Sequence, residues 1–326
     1  MIFAQLTGGE PHLIMLNIEN DISLYDQTSF KLKSTARYFL KAITRKEIVD
    51  GIEWARKNKI PYVVLGSASN VVFGSDIYQG LVIKNAWTDI RPATEKGAVY
   101  VSSGTDLATV VEYFVNAGFG GLEWAGGLPG TIGGAVRGNA GAFGGEIKDC
   151  VISVESMAFS DVLVVKKSRD NKECSFGYRN SIFKQNGEII MEVMVGYKKS
   201  SSEEIRKVVD SCKNYRKQKL PLEYPSAGSF FKNIPVETVP AGVRKYFASV
   251  TKNDPLPLIP AAAVIADLDL IGRQIGGAQI SQKHPNFIIN KENATSVDIF
   301  ALAEMMEHEA FKKYAIKLER EVQMIL

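Results

Sequence analysis

Three groups of residues in this 326-residue chain could do chemistry. The largest runs from Gly120 to Asp149, G-G-L-E-W-A-G-G-L-P-G-T-I-G-G-A-V-R-G-N-A-G-A-F-G-G-E-I-K-D, with eleven glycines between Gly120 and Gly145. Glycine serves where the backbone must take φ > 0 or be approached closely. This density therefore points to N–H groups laid against a large anionic ligand. Trp124, Leu128, Ile132, Val136 and Phe143 punctuate the run, so it is folded, and the plainer alternative is a series of tight turns in a β-rich domain. The second group is Gly66-Ser67-Ala68-Ser69-Asn70, directly after the apolar Tyr62-Val63-Val64-Leu65. A small polar turn at the C-terminal end of a buried strand is where α/β proteins hold phosphates, although alone it reads equally as an ordinary loop. The third group is Glu319 and Glu321, two residues apart and hence on one face of a strand. Same-face carboxylates raise one another's pKa, which suits one of them to donate a proton or hydrogen bond, but periodicity does not choose between them.

These groups need elements to hold them. Thr44-x-x-Glu47 is a capping box, followed at helical spacing by Ile48, Ile52 and Ala55 and stopped by Pro61. Lys31 to Ala42 reads as extended, and Leu81–Ile83 and Val99–Val101 read as strands. Asp106 to Ala117 is a helix ending at Gly118. Past Asp149 the period becomes two, predicting strands at Val151–Phe159, Asp161–Lys166 and Glu188–Tyr197. Ser201-x-x-Glu204 opens a helix with Ile205, Val208, Val209, Cys212 and Tyr215 inward and Arg206, Lys207, Lys213, Arg216 and Lys217 outward. Five prolines between 234 and 260 predict an irregular crossing with one short helix, from Gly242 to Val250. Ala261–Leu270 and Asp298–Lys313 read as helices, the latter with Phe300, Ala301, Met305 and Phe311 inward. The chain closes on an alternating strand from Ala315 to Met324.

Composition narrows the classes. Apolar content of 45% and charged content of 23% are those of a globular protein, and a formal charge of +3 is too small to make nucleic acid or a membrane surface the main partner. Cys150, Cys174 and Cys212 are sparse and unpaired in sequence, as in a reducing cytosol. The N-terminus lacks a signal-peptide pattern and no stretch is apolar enough to span a bilayer. A cytoplasmic location is expected. His12, His284 and His308 are scattered and form no metal-ligand spacing with cysteine, so no metal is expected.

Five stretches in order resemble one family, the UDP-N-acetylenolpyruvoylglucosamine reductases, flavoenzymes of peptidoglycan precursor synthesis. They are Leu65–Asn70, Gly120–Asp149, Y-R-N-S-I-F-K at Tyr178–Lys184, K-L-P…S-A-G-S-F-F-K-N at Lys219–Asn233, and G-G-A-Q-I-S-Q-K-H-P-N-F-I-I-N at Gly276–Asn290; L-E-R-E-V at Leu318–Val322 completes them. The resemblance runs from about Lys31 to the end. It implies an α+β protein with two FAD-binding subdomains of the vanillyl-alcohol-oxidase (PCMH) type, at 31–95 and 96–200. An N-terminal arm at 1–30 precedes them and a smaller α+β substrate-binding domain at 201–326 follows. By resemblance, Gly66, Ser67, Ala68, Ser69 and Asn70, with Gly127, Pro129, Gly130, Thr131, Gly133, Gly134 and Ala135, hold non-covalent FAD through backbone amides. Asn139, Gly141 and Ala142 would lie near its ring. No G-x-G-x-x-G follows a strand, so NADPH is expected as a visiting co-substrate rather than on a Rossmann domain of its own.

The implied reaction is reduction of an enolpyruvyl ether on a UDP-sugar. Hydride passes from NADPH by way of FAD to the terminal vinyl carbon, and charge gathers on the carboxylate-bearing carbon until a proton arrives. Arg179 matches the family's catalytic arginine, a planar fork suited to a carboxylate; Ser229 matches the proton donor, with Lys219 and Lys232 as candidates to stabilise its alkoxide; Glu321 matches the catalytic glutamate. Tyr178, Lys219, Asn233 and His284 fall at substrate-contacting positions, Lys219 toward the diphosphate. A lone histidine is as readily a structural residue.

The chain departs from the pattern at four places: Ala68 stands for a glycine, Lys33-Ser34-Thr35 for a glycine pair, Gln323 for an arginine, and the chain ends at Leu326 without the usual short tail. No tyrosine-bearing insert follows Lys184, as in the shorter subfamily. The rival readings are a degenerate, non-catalytic FAD- or nucleotide-sugar-binding homologue, and another flavin oxidase or dehydrogenase on the same fold. A monomer is expected.

Overall fold

The capping box forms as the sequence requires: Thr44 accepts from the Glu47 N–H, the Glu47 carboxylate reaches back, and the helix runs Arg45–Lys57 with Ile48, Ile52 and Ala55 buried. The structure is a computed structural model and describes residues 16–160, 163–253 and 255–326; His12, the first half of the expected arm and Asp161 lie outside these. The Arg45–Lys57 helix packs on one face of a four-stranded sheet ordered Glu19–Ser23, Thr35–Ala42, Ile77–Asn85, Tyr62–Leu65. The first pair is antiparallel and the others parallel. Residues 19–23, expected in the arm, are thus an edge strand of this sheet.

A second, five-stranded sheet is antiparallel throughout, in the order Val164–Asp170, Val151–Phe159, Ile189–Gly196, Ala98–Ser102, Ile90–Pro92. The Leu107–Ala117 helix covers it through Leu107, Val110, Val111 and Phe114, and Gly118 at φ 66° ends that helix in the left-handed region. The glycine-rich stretch supplies Trp124, Ile132 and Val136 to the same core. Cys150, Cys174 and Cys212 are free and buried. Burial pushes the first two thiols up to about 12, which makes them poor nucleophiles.

The third unit gathers the remaining hydrophobic residues around the helices Ala261–Ala266 and Ser296–Tyr314 and a small sheet, Gln274–Ile275, Ala278–Ile280, Ile288–Asn290. Its crossing segment holds the helix Ala241–Tyr246, near where a short one is predicted.

Four expectations need correction. The Ser202–Lys219 helix does not open the third unit: Ile205 and Val209 sit in the second core, while Val208 and Tyr215 are exposed. At the other end, Phe30 and Leu32 pack into the third core, so neither of these two expected boundaries is where the packing changes. The inward face of Ser296–Tyr314 is Ile299, Leu302, Ala303, Met306 and Ala310; Phe311 is exposed, and Phe300 and Met305 sit at the margin. The expected closing strand is not continuous: Arg320 makes an isolated bridge to Phe231, and the regular strand is Gln323–Ile325, parallel to Val71–Phe73 in the first subdomain. Ile316, Leu318 and Val322 are nevertheless buried as the alternation predicts.

Candidate active site

Tyr178 and Arg179 are the middle residues of a tight turn closed by Gly177 and Asn180, which exchange backbone hydrogen bonds at 3.0 and 3.1 Å. Arg179 takes φ 51°, an uncommon state for a side chain of its size and a mark of a held conformation. Two contacts fix the turn: the Asn139 Nδ2 donates to the Gly177 carbonyl at 2.8 Å, and the Ser181 hydroxyl donates to the Arg137 carbonyl at 2.7 Å. The guanidinium then donates from Nη2 to the Gly141 carbonyl at 2.6 Å, and its Nε lies 3.3 Å from the Glu321 Oε1. These two side chains are only 19% and 23% exposed.

Glu321 reaches this place through a backbone ladder. Its N–H donates to the Phe230 carbonyl at 2.8 Å, the Lys232 N–H donates to the Glu319 carbonyl at 2.9 Å, and Phe231 bridges Arg320. The segment after Ser229 is thereby zipped to the segment carrying Glu321. Gly228, at φ 78°, has open space where a side chain would point, and among the described residues the Ser229 hydroxyl has no hydrogen-bond partner. Arg179 and Glu321 therefore meet from separate parts of the chain, with the Phe230 carbonyl, one residue after Ser229, bonded to the Glu321 backbone. Burial raises the Glu321 carboxyl above its usual range, against the pull of Arg179, Lys184 and Lys232. Glu319, in contrast, is exposed and paired with Lys232 at 2.5 Å. The expected mutual effect of two carboxylates is thus a minor one, and burial is what separates them.

The glycine groups also meet. Ser67 donates to the Asp106 carboxylate at 2.7 Å, Asp106 bridges Thr131, and a Cβ on Gly66 would lie 2.3 Å from the Thr131 Oγ1. Among the described residues, the N–H groups of Ser67, Ala68, Ser69, Asn70, Gly130 and Thr131 donate to no protein acceptor. A row of free amides over a cleft too tight for a side chain fits a pyrophosphate. The N–H groups of Ile132, Gly133, Gly134 and Ala135 do not join it; they bond to Thr105, Ser103 and Thr131. Gly133 is glycine because Ser103 lies 2.7 Å from its would-be Cβ. The cradle is tied to the arginine site as well: Asn70 Nδ2 donates to the Glu321 carbonyl at 3.1 Å, and the Gln323 N–H donates to the Asn70 carbonyl at 3.0 Å. Ala68 takes φ 50°, so it does occupy a position where glycine is at ease.

Several expected contacts are engaged otherwise. Asn139 is fully buried, with its amide on Gly177 and its Oδ1 accepting from the Lys148 N–H at 3.3 Å. It holds the arginine turn. Gly141 and Ala142 pair with Gly145 and Glu146 in a hairpin beside Arg179, where a Cβ on Gly141 would meet Glu146 and Arg179. The Asn233 Oδ1 accepts from the Ala261 N–H at 3.1 Å, and the Asn233 N–H donates to the Tyr178 hydroxyl at 3.2 Å. His284 packs edge-on against Phe287, with burial lowering its pKa. Lys219 is exposed at the end of its helix.

Sequence reasoning assigned no role to Lys184, Arg137 or Glu146. Lys184 Nζ donates to the Arg179 carbonyl at 2.8 Å, and burial lowers its pKa. Arg137 Nη1 donates to the Gln323 Oε1 at 2.9 Å. Glu146 is buried, 3.7 Å from the Arg179 Nη1 and 2.5 Å from the Lys148 Nζ. For Arg137 the available signal was a charged residue alone in a glycine-rich, apolar run.

Comparison with known proteins agrees. Residues 36–164 match the FAD binding domain family, and residues 220–325 match the UDP-N-acetylenolpyruvoylglucosamine reductase C-terminal domain family. UDP-N-acetylenolpyruvoylglucosamine reductase of Geobacillus thermodenitrificans is 31% identical over 95% of this chain and 93% of its own, and that of Clostridium botulinum is 34% identical over 95% and 92%. The crystal structure of the Thermus caldophilus reductase superposes with a TM-score of 0.71 at 29% identity, covering 95% of this chain and all of that one. Because relatedness at this level spans the cradle, the arginine turn and the closing strand alike, the chain belongs to the UDP-N-acetylenolpyruvoylglucosamine reductase family.

Proposed function

We infer that this protein reduces the enolpyruvyl group of UDP-N-acetylglucosamine enolpyruvate to give UDP-N-acetylmuramate, with FAD as cofactor and NADPH as co-substrate, in peptidoglycan precursor synthesis. The observation that carries the reading is the convergence of Arg179 with Glu321 at 3.3 Å beside the segment of Ser229. The free amides at Ser67–Asn70, Gly130 and Thr131 would hold the FAD pyrophosphate. FAD, when bound, supplies the hydride.

The residues supply the rest. Charge builds on the carbon that bears the carboxylate, and Arg179, already oriented by Gly141 and Glu321, offers a fixed positive field that needs no reorganisation. Lys184 and Lys232 add to that field. Glu321, its pKa raised by burial, acts as the hydrogen-bond donor to the carboxylate. Ser229 delivers the proton to the same carbon, its alkoxide stabilised by these cations. Tyr178 orders the Asn233 segment at the edge of the site. Lys219 and His284 take part in substrate binding, Lys219 at the diphosphate. The protein works as a monomer in the cytoplasm; among the described residues no helix is long and apolar enough to cross a membrane. The degenerate, non-catalytic FAD- or nucleotide-sugar-binding alternative is not favoured, since Arg179 and Glu321, the charged residues of the reaction, are present and paired.

The test separates the half-reactions. The purified protein is expected to be yellow and to oxidise NADPH in step with the enolpyruvyl substrate. Ser229→Ala is expected to keep reduction of the flavin by NADPH and to abolish reduction of the substrate. Survival of both half-reactions in that variant would remove Ser229 from the reaction.

A further inference from the structure

The half-buried Arg137 has no counter-ion among the described residues. Arg137 is the only charged residue of the Ile132–Gly138 helix, and among the described residues its side chain donates only to the neutral Gln323 Oε1, at 2.9 Å. Among the described residues it makes no ion pair. The charged group that feels it is another cation, Lys184. Burial lowers its pKa, yet a guanidinium keeps its proton. A charge withdrawn from water is retained when something pairs with it, and here the pairing anion is not supplied by the chain.

Position says which anion. The Ile132–Gly138 helix begins at Thr131, in the amide cradle, and is capped at its far end by Asn139, whose carbonyl is 3.5 Å from the Arg179 Nη1. Gln323 is tied through its N–H to Asn70 of the cradle and lies two residues beyond Glu321. Arg137 and Gln323 thus stand between the cradle and the Arg179–Glu321 pair. A cofactor anchored by its pyrophosphate and extending to that pair brings its ring system past them. We infer that Arg137, held by Gln323, sets its charge against the flavin ring of bound FAD and favours the reduced ring over the oxidised one. The balance is simple. A hydride from NADPH carries two electrons and one proton to the neutral ring, NADP⁺ leaves, and the ring is left with one negative charge. A fixed guanidinium beside that charge stabilises it, as groups near a cofactor ring tune its electronics.

The experiment uses holoenzyme: wild type, Arg137→Met, Gln323→Glu, and the exchange Arg137→Gln/Gln323→Arg. The midpoint potential is measured by dye equilibration, and the affinity for sulfite, which adds to the flavin and leaves the same negative charge, by titration. Arg137→Met and Gln323→Glu, the second giving the guanidinium its own carboxylate, are each expected to favour the oxidised ring about tenfold, a fall of about 30 mV for a two-electron couple. Sulfite binding is expected to weaken by a similar factor, and the exchange to restore both. Potentials and sulfite affinities within twofold of wild type in both single variants would overturn the inference. So would a second pattern: potential unmoved in Arg137→Met, with loss of its preference for UDP-N-acetylmuramate over UDP-N-acetylglucosamine, which lacks the carboxylate. Should Arg137→Met lose flavin, Gln323→Glu still decides, because it leaves Arg137 in place. None of these readouts needs turnover of the enolpyruvyl substrate, so their failure is distinct from failure of that assignment.

Discussion

Gly66→Ala is the sharpest perturbation of the cradle. The added Cβ would lie 2.3 Å from the Thr131 Oγ1, 2.7 Å from its Cγ2 and 3.1 Å from its Cβ, whereas carbon contacts are optimal near about 3.5–4.0 Å. Thr131 has no easy retreat. It is 5% exposed, β-branched and so stiff at χ1, and its hydroxyl accepts from the Gly134 N–H at 3.3 Å. The overlap must therefore part the two loops, at about 1–3 kcal/mol for an overpacked site. If the separation is relieved only when the loops leave their FAD-binding spacing, that energy appears in affinity, weakening FAD by about 5- to 150-fold at 1.4 kcal/mol per decade. FAD affinity is read by flavin fluorescence on titrating apoprotein, and stability by thermal unfolding of the same apoprotein. Thr131→Ala removes both close atoms, so the double variant should recover most of the lost affinity and show a coupling energy as expected for touching residues. Wild-type FAD affinity in Gly66→Ala, or equal losses in the single and double variants, would refute the contact as the cause.

Three further outcomes follow from the geometry. Burial raises the Glu321 carboxyl, so its donating form persists above the usual carboxylate range and is lost as pH rises through the raised value; substrate reduction should fall on that alkaline limb, and Glu321→Gln, a donor at every pH, should flatten it. Ala68→Gly relieves a left-handed alanine worth about 1–2 kcal/mol but adds about 0.4–1 kcal/mol of unfolded-chain entropy and removes a buried methyl whose burial is worth about 0.8 kcal/mol; thermal unfolding should place it within about 1 kcal/mol of wild type, and a larger shift would show strain elsewhere in the loop. Arg169 and Ser156 hold the buried Glu188 carboxyl below its ordinary pKa; this stabilisation is present above the unfolded value and is lost as pH falls through the folded one, so wild type and Glu188→Gln should converge in denaturant stability on acidification from a gap of about 2–4 kcal/mol at neutral pH.

The sequence by itself determined whatever depends on neighbours along the chain. The Thr44–Glu47 cap, the glycine stop at Gly118, the period-two strands and the buried alternation of Ile316, Leu318 and Val322 all rest on spacings of two to four residues. It also named Gly66–Asn70, Arg179, Ser229 and Glu321, because their types sit in ordered motifs. Tertiary structure alone decided which of these are free to act. The amides of Ser67–Asn70 are open while that of Gly133 is engaged, and Asn139 faces inward to hold a turn rather than outward to a ligand. Glu321 rather than Glu319 is the buried carboxylate, and burial, which spacing does not show, raises its pKa. Unit boundaries were hidden for the same reason: Ile205 and Phe30 look like any apolar residue, and only the third dimension says which core receives them. Hydrogen-bond availability, burial and unpaired charge are properties of contacts between residues far apart in sequence, and no local pattern carries them.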